Sequence, residues 1–321
     1  MAETKIKTIL FITFDLSGYY ECIHETLKSK YQSVDYYNLA TYKNRPYKNG
    51  LQRLKSFYYK TFKNLKLKNY IKYNPIIEEI SGKTYDVALI IRPDLFFDEQ
   101  LKIIKKNSNH MVAYYHDSVN NILRKKDVIS FFDKVYSYEK KDVKAYNLNF
   151  ISNFIYLDNY KINEVNAVKL FTIASKDYRF NSLEKLAQYL RKKDLDFEFL
   201  VYSDKPQPNH DLITFITDRK NNVEVLKYVN ECSVIVDIHK YGIQDGLTFR
   251  VFESLFFKKK LITSNKDIKT YDFYNPNNIF IINNFDLIEI PDSFFTEPYQ
   301  EIPENTYNKY HFSNWIRTVL K

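Results

Sequence analysis

The sequence predicts two successive doubly wound α/β domains, and three observations carry that expectation. The chain has 321 residues, long for one hydrophobic core and natural for two of roughly 150 residues each. Short β-branched runs such as YDVALIIR and SVIVDIH have the continuous apolar character of strands buried on both faces. These runs alternate with helical segments, and the alternation restarts after LDNYKINEVNA, residues 157 to 167, a polar stretch without periodicity.

In the first half, KTILFITF (7–14) is the opening strand and residues 20–31 the following helix. SVDYYNLA (33–40) is a second strand, and a basic helical region follows. YDVALIIR (85–92), MVAYYHD (111–117), KVYSYE (134–139) and FISNFIY (150–156) are further strands, with helices at 98–106 and 140–146. In the second half, strands fall at VKLFTIA (168–174), FEFLVYS (197–203), LITFIT (212–217), SVIVDIH (233–239), KLITSN (260–265) and NIFIIN (278–283). Helices fill 183–192, 223–230 and the segment after residue 247, and HFSNWIRTVL closes the chain as an apolar-periodic helix. The expected division is residues 1–157, 158–305, and 306–321 as a terminal helix returning to the first domain. Right-handed crossovers put the functional loops at the carboxyl ends of the strands.

Composition excludes several classes. Cys22 and Cys232 stand far apart without CxxC or Cys/His spacing, which argues against a disulfide framework or a zinc site and for a reducing cytoplasm. The apolar run in MAETKIKTILFITFDLSG is too short for a membrane span and lacks a signal peptide's cleavage pattern. The abundance of Tyr, Phe, Lys, Asn and Ile fits an AT-rich genome as well as any function.

Charge is concentrated. Between Lys43 and Lys72 stand ten Lys or Arg and no Asp or Glu, against a net charge of +9 for the whole chain. Leu51, Leu54, Phe57, Tyr58, Phe62, Leu65 and Tyr70 interleave with them at spacings of three and four, the pattern of a basic amphipathic helix. One reading is contact with an anionic membrane face or an anionic lipid-linked acceptor. The other is a solvated basic face. No nucleic-acid motif accompanies the segment, so nucleic acid is not an expected partner.

The richest stretch is HKYGIQDGLTFRVFESLFFKKKLITSN, residues 239 to 265. Of five glycines in the chain, Gly242 and Gly246 fall here, where backbone must turn and approach a ligand without a Cβ in the way. A helix beginning near Leu247 aims its positive dipole end at the crevice above the strand. Arg250 adds a bidentate cation for a diphosphate, and Glu253 a carboxylate suited to vicinal hydroxyls. Together they describe a nucleotide-diphosphate cradle; the alternative is a strand–helix junction that Arg250 and Glu253 merely solvate.

The run Asp245-Gly-Leu-Thr-Phe-Arg-Val-Phe-Glu253, followed by LFFKKKLITSN, resembles the donor-site motif of GT-B glycosyltransferases of the family-4, group-1 type, which serve bacterial lipopolysaccharide-core and capsule synthesis. Asp245 stands where that family usually has Glu, and Lys258 to Lys260 replace its small residue and Gly. The resemblance implies two Rossmann-like domains facing a cleft, a nucleotide-sugar donor, a glycan or lipid-linked glycan acceptor, and transfer with retention. It implies that Glu253 binds the donor ribose, Arg250 the diphosphate, and Asp245 with the Gly246-Leu247-Thr248 backbone the sugar. His239 and Gln244 would line the donor pocket, or close the core and solvate the loop. Ser175, Lys176 and Arg179, after the first strand of the second domain, correspond to a phosphate-contacting loop or are ordinary loop residues. Asp15, Ser17 and Gly18 correspond to the acceptor-facing loop.

His116 or Asp117, at the end of AYYHD, is the candidate general base for an inverting enzyme, with His24 behind them; in a retaining enzyme His116 orients the sugar. No DxD motif is seen that would place a metal on the diphosphate, so no metal or other cofactor is expected. A polyol-phosphate transferase would share His116, and a non-catalytic binding protein would share the fold alone. A dinucleotide oxidoreductase is discounted because FDLSGYYEC lacks GxGxxG. The expected location is cytoplasmic, peripheral on the membrane face through residues 43–72.

Overall fold

TILFIT has apolar side chains on both faces and is buried along all but its first residue, which places it inside a sheet. The computed structural model describes residues 6–63, 65–165 and 167–321. The chain forms two units, one made of the residues up to Ile151 with Trp315–Lys321, the other of Ser152–Asn314.

The first unit holds a parallel sheet of β1 (Thr8–Thr13), β2 (Ser33–Asn38), β3 (Tyr85–Ile91), β4 (Ser108–Tyr115), β5 (Lys134–Ser137) and β6 (Asn149–Phe150), in the order β2-β1-β3-β4-β5-β6. The fully apolar strands take the middle, and SVDYYN, with its polar alternation, is only half-buried at the edge. Register is pinned at the start of β1, where Asp86 Oδ2 accepts from the backbone of Lys7 at 2.7 Å and Thr8 at 3.0 Å. The order reverses between β1 and β3, so a crevice opens above their carboxyl ends. Trp315 packs edge-on against Tyr114 of β4, ring centroids 5.0 Å apart, and the Tyr136 hydroxyl donates to the Thr318 carbonyl at 3.1 Å.

The second unit holds β7 (Lys169–Ser175), β8 (Asp196–Tyr202), β9 (Thr214–Ile216), β10 (Val234–Asp237), β11 (Lys260–Thr263) and β12 (Ile279–Ile281), all parallel, in the order β12-β11-β10-β7-β8-β9. VIVD and KLIT are buried at every position, as central strands must be. Helix Phe180–Lys192 lays Leu183, Leu186 and Leu190 on the sheet. Helix Asn222–Glu231 opens with a capping box between Asn221 and Glu224, each backbone N–H donating to the other's side chain at 3.0 Å. Here the order reverses between β7 and β10.

Two stretches differ from the sequence expectation. The basic region is two helices, Gly50–Phe62 and Leu67–Ile80. Winding stops where the N–H groups of Lys63 and Leu65 both return to the Tyr59 carbonyl. The second helix buries Tyr73, Ile76, Ile77 and Ile80, whereas the first buries nothing, so the two follow different supports. Residues 150–156 were expected as a strand of the first sheet, yet only Asn149 and Phe150 pair there. From Ser152 the chain is part of the second unit, where Ile155 exchanges backbone bonds with Tyr310 at 2.8 Å and Phe312 at 3.0 Å. The terminal helix runs Phe312–Val319, and the division between units falls within it, at Trp315 rather than at residue 306.

Candidate functional site

At the crevice between β7 and β10 lies a cavity of ≈ 40 Å³. Its floor is apolar (Phe180, Leu183, Val201, Val236), and Thr172, Ser175, Arg179, Asp237 and Arg250 supply the polar wall. The Thr172 hydroxyl is given to the Val236 carbonyl at 2.7 Å, which leaves two guanidinium groups and the Ser175 hydroxyl at this topological switch point as the groups that can face an anion.

Both arginines are held. Arg179 forks onto the Asp177 carboxylate, with Nη2 2.7 Å from Oδ2, and its Nη1 donates to the Ile238 carbonyl at 2.8 Å. Arg250 pairs with Glu253 one turn along helix Phe249–Phe256, and Tyr156 donates its hydroxyl to the other Glu253 oxygen at 2.7 Å. Glu253 is only 1 % exposed. In place of the open, ribose-facing carboxylate expected, Glu253 is enclosed because its oxygens anchor Arg250 and Tyr156. Fixing a long side chain in advance removes the entropy that an anion would otherwise have to offset on binding.

The loop between β10 and this helix is braced on all sides. Gly242 takes φ +81°, closing a turn in which the Ile243 and Gln244 N–H groups share the Lys240 carbonyl, each at 3.1 Å. Asn265 Nδ2 donates to the carbonyls of Asp245 and Gly246, at 3.2 and 3.3 Å, and Asn153 Nδ2 to that of Leu247 at 2.8 Å. The Leu247 side chain is buried. Thr248 donates its hydroxyl to Asp237 at 3.1 Å instead of capping the helix. Burial pushes the Asp237 carboxyl up, against the pull of that hydroxyl and of His239. His239 is pushed down by burial, with Asp237 and the Gln244 backbone acting the other way, and its own N–H donates to Ser264 Oγ at 2.9 Å.

Of the sequence candidates, Ser175, Arg179 and Arg250 come together on this cavity. Lys176 does not: its ammonium goes to Gln207 and lies 5.5 and 5.2 Å from the rings of Phe180 and Phe215. Asp237, Thr172, Tyr156 and Asn153 were not singled out. An acid closing the run VIVD was a visible signal for the first. Nothing in FISNFIY marked Asn153 and Tyr156, because their partners lie about a hundred residues away.

In the first unit, Asp15 builds its loop. Oδ1 accepts from the backbone of Ser17 at 3.0 Å and Gly18 at 2.7 Å, and Oδ2 from that of Tyr20 at 2.7 Å. Gly18 takes φ +79°. The carboxylate expected on the acceptor side is therefore spent on backbone N–H groups, and the loop it shapes delivers Tyr20. The Tyr20 hydroxyl meets His116 Nδ1. Burial, then the Lys125 ammonium, pushes His116 down to about 4, so the imidazole is neutral near pH 7. Asp117 receives the Ser118 N–H at 2.9 Å and Asn121 Nδ2 at 2.8 Å, and its carbonyl receives Lys125 Nζ.

Lys125 is fully buried, and burial lowers its ammonium to about 8, opposed by Asp94 and Asp117. Arg92 beside it stands at φ 69° and forks onto Asp94 with two contacts of 2.9 Å; burial would lower it, and Asp94 reverses that. A left-handed arginine is strained backbone at a strand end. His24 stacks on Tyr36, 3.9 Å between centroids, with Glu21 and Glu25 each 3.6 Å away. Among the described residues this surface trio is the one grouping of metal-ligand type.

No protein-family model matches the chain, and no curated protein matches its sequence. Solved structures do match. A trehalose-6-phosphate synthase studied with bisubstrate glycomimetics superposes with a TM-score of 0.60 at 11 % identity, over 97 % of this chain and 98 % of that one. The fold is GT-B. The UDP-forming trehalose-phosphate synthase of Burkholderia xenovorans, in complex with glucose-6-phosphate, gives 0.57 at 11 % identity, over 98 % and 100 %. A UDP-GlcNAc 2-epimerase from Neisseria meningitidis bound to UDP-GlcNAc gives 0.52 at 10 % identity, over 98 % of both. At such identities the likeness of GT-B chains is one of fold, and activity rests on the site.

Proposed function

We propose that this GT-B chain is a glycosyltransferase that moves a sugar from a nucleoside-diphosphate sugar to a bacterial surface-polysaccharide or lipopolysaccharide acceptor. The observation that carries the reading is the β7–β10 cavity, where Arg179 and Arg250, each held by its own carboxylate, line one wall with Ser175. Two fixed guanidinium groups offer oriented N–H donors to a leaving diphosphate, and the reading calls for no metal. Glu253 and Asp177 act through the arginines, and Gln244, Asp245 and the Gly246-Leu247-Thr248 backbone are assigned to the sugar.

His116 is the proposed catalytic residue of the first unit, neutral and so able to serve an acceptor hydroxyl. The Asp245–Glu253 spacing favours retention, in which His116 orients the sugar; an inverted product would make it the general base. Neutral His116 also suits a phosphotransferase using a CDP-activated donor. Two free thiols fit a cytoplasmic site of action. Among the described residues, no helix is long and apolar enough to cross a membrane.

The test is thermal unfolding against UDP, GDP, CDP, CMP and ADP. A nucleotide at about 100 times its Kd stabilises by about 2.7 kcal/mol. A shift by one diphosphate, lost in Arg250→Ala, is the expected result; a shift by CDP or CMP selects the phosphotransferase, and no shift removes the enzyme reading.

A further inference from the structure

Helix Gly50–Phe62 is turned inside out relative to an ordinary surface helix. Its supported face is polar: Ser56 meets the Tyr47 hydroxyl at 2.6 Å, and Gln52 Oε1 receives the Lys48 N–H at 2.8 Å. Tyr59 on the same face packs edge-on against Phe97, centroids 5.1 Å apart. The next face round the helix is apolar and stands in solvent. Leu51, Leu54, Tyr58 and Phe62 follow one another at helical spacing and are 62, 66, 50 and 68 % exposed, with Phe57 beside them at 65 %. No residue of the helix is buried.

An outward stripe of this length is unfavourable in water and marks a surface that something else covers. Charge says what. Arg53, Lys55, Lys60 and Lys63 are exposed beside and behind the stripe. Among the described residues no carboxylate pairs with any of them, and the sequence from Lys43 to Lys72 contains none. A protein partner for such a face would have to be apolar at its centre and acidic all round. An anionic bilayer offers both at once, apolar acyl chains beneath a sheet of phosphates, and a helix lying in the interface places leucine and aromatic side chains below its cations. We propose that helix Gly50–Phe62 is a membrane-docking element that lays Leu51, Leu54, Tyr58 and Phe62 into the headgroup region of an anionic lipid surface. The inference stands apart from the glycosyl-transfer reading, since it uses none of that site's residues.

The experiment is co-sedimentation of the full chain with phosphatidylcholine vesicles, with and without phosphatidylglycerol as a minority lipid. Wild type is expected on the anionic vesicles alone, with binding that weakens as salt rises. Leu54→Ser with Phe62→Ser should lower partitioning by about tenfold or more, and Lys55→Gln with Lys60→Gln by roughly fivefold for each charge removed. All four side chains stand in solvent, so both variants should keep the wild-type unfolding midpoint; the charge pair tests the idea even if the apolar pair misfolds. Equal binding to neutral vesicles, no binding, or variants that partition like wild type would overturn it. So would dimerisation in the absence of lipid that is lost in the Ser variant, which would assign the face to a second copy, or preferential capture by duplex DNA.

Discussion

Lys125 gives the sharpest quantitative consequence of the first-unit cluster. Its ammonium is fully buried among Asp94, Asp117, Asp142 and Arg92, and is lowered from an ordinary 10.5 to about 8. The unfolded chain keeps this proton up to pH 10.5, whereas the native chain gives it up from about pH 8, so raising the pH through that window favours the native state. Near neutral pH the buried charge costs about 3 kcal/mol relative to the unfolded chain. Between about pH 7.5 and about pH 9.5 roughly 2 kcal/mol of that cost disappears. The Cys22 and Cys232 thiols, raised by burial, act with the opposite sign from pH 9, and Lys259 and Lys260, lowered by burial, with the same sign. The difference between wild type and Lys125→Met isolates the residue. Trp315, the sole tryptophan, is buried in the first unit against Tyr114, so urea unfolding followed by its emission reports that unit. The wild-type stability should gain about 2 kcal/mol on Lys125→Met across the window; curves parallel within about 0.5 kcal/mol would refute the assignment of a buried, charged Lys125.

The same arithmetic of buried groups gives two further predictions. Tyr156→Phe removes the hydroxyl that donates to the enclosed Glu253; it should lower the stability of the second unit by about 1.5–3 kcal/mol in urea unfolding followed by far-UV circular dichroism. An unchanged midpoint would mean that Glu253 does not depend on it. His116→Asn should slow transfer by about 10²–10⁴-fold, and because the wild-type imidazole is held down to about 4, the wild-type rate should stay level on acidification until pH approaches that value. An acid limb near the ordinary histidine value would show that His116 is open to water during turnover.

Much of the architecture was legible because buried parallel strands have their own signature. TILFIT, DVALII and VIVD are apolar on both faces, and only a sheet covered by helices satisfies that pattern. The strand-to-helix loop at 239–253 was legible through Gly242 and through Arg250 on the first helical turn. What escaped depends on partners distant in the chain. Asn153 and Tyr156 looked like strand residues, yet they brace Leu247 and Glu253. Lys125 sits in the run Arg-Lys-Lys, which has the look of a solvated basic turn, and only packing shows it enclosed. Lys176 and Arg179 looked equivalent as phosphate ligands, yet Asp177 holds Arg179 at the cavity and Gln207 draws Lys176 away from it. The break between the two basic helices had no Gly or Pro to announce it. It follows from the second helix burying an apolar face that the first does not share.

The central claim is that the β7–β10 cavity binds a nucleoside diphosphate through Arg179 and Arg250. Titration calorimetry of UDP, GDP, CDP and ADP against wild type, Arg250→Ala and Lys176→Ala tests it most directly. The expected result is one nucleotide bound by wild type and roughly 10–100-fold more weakly by Arg250→Ala, the worth of a charge-assisted contact. Lys176, whose ammonium is turned to Gln207, should be replaceable with less than about a threefold change. Equal losses in both variants, full binding by Arg250→Ala, or no nucleotide bound by wild type would contradict the account.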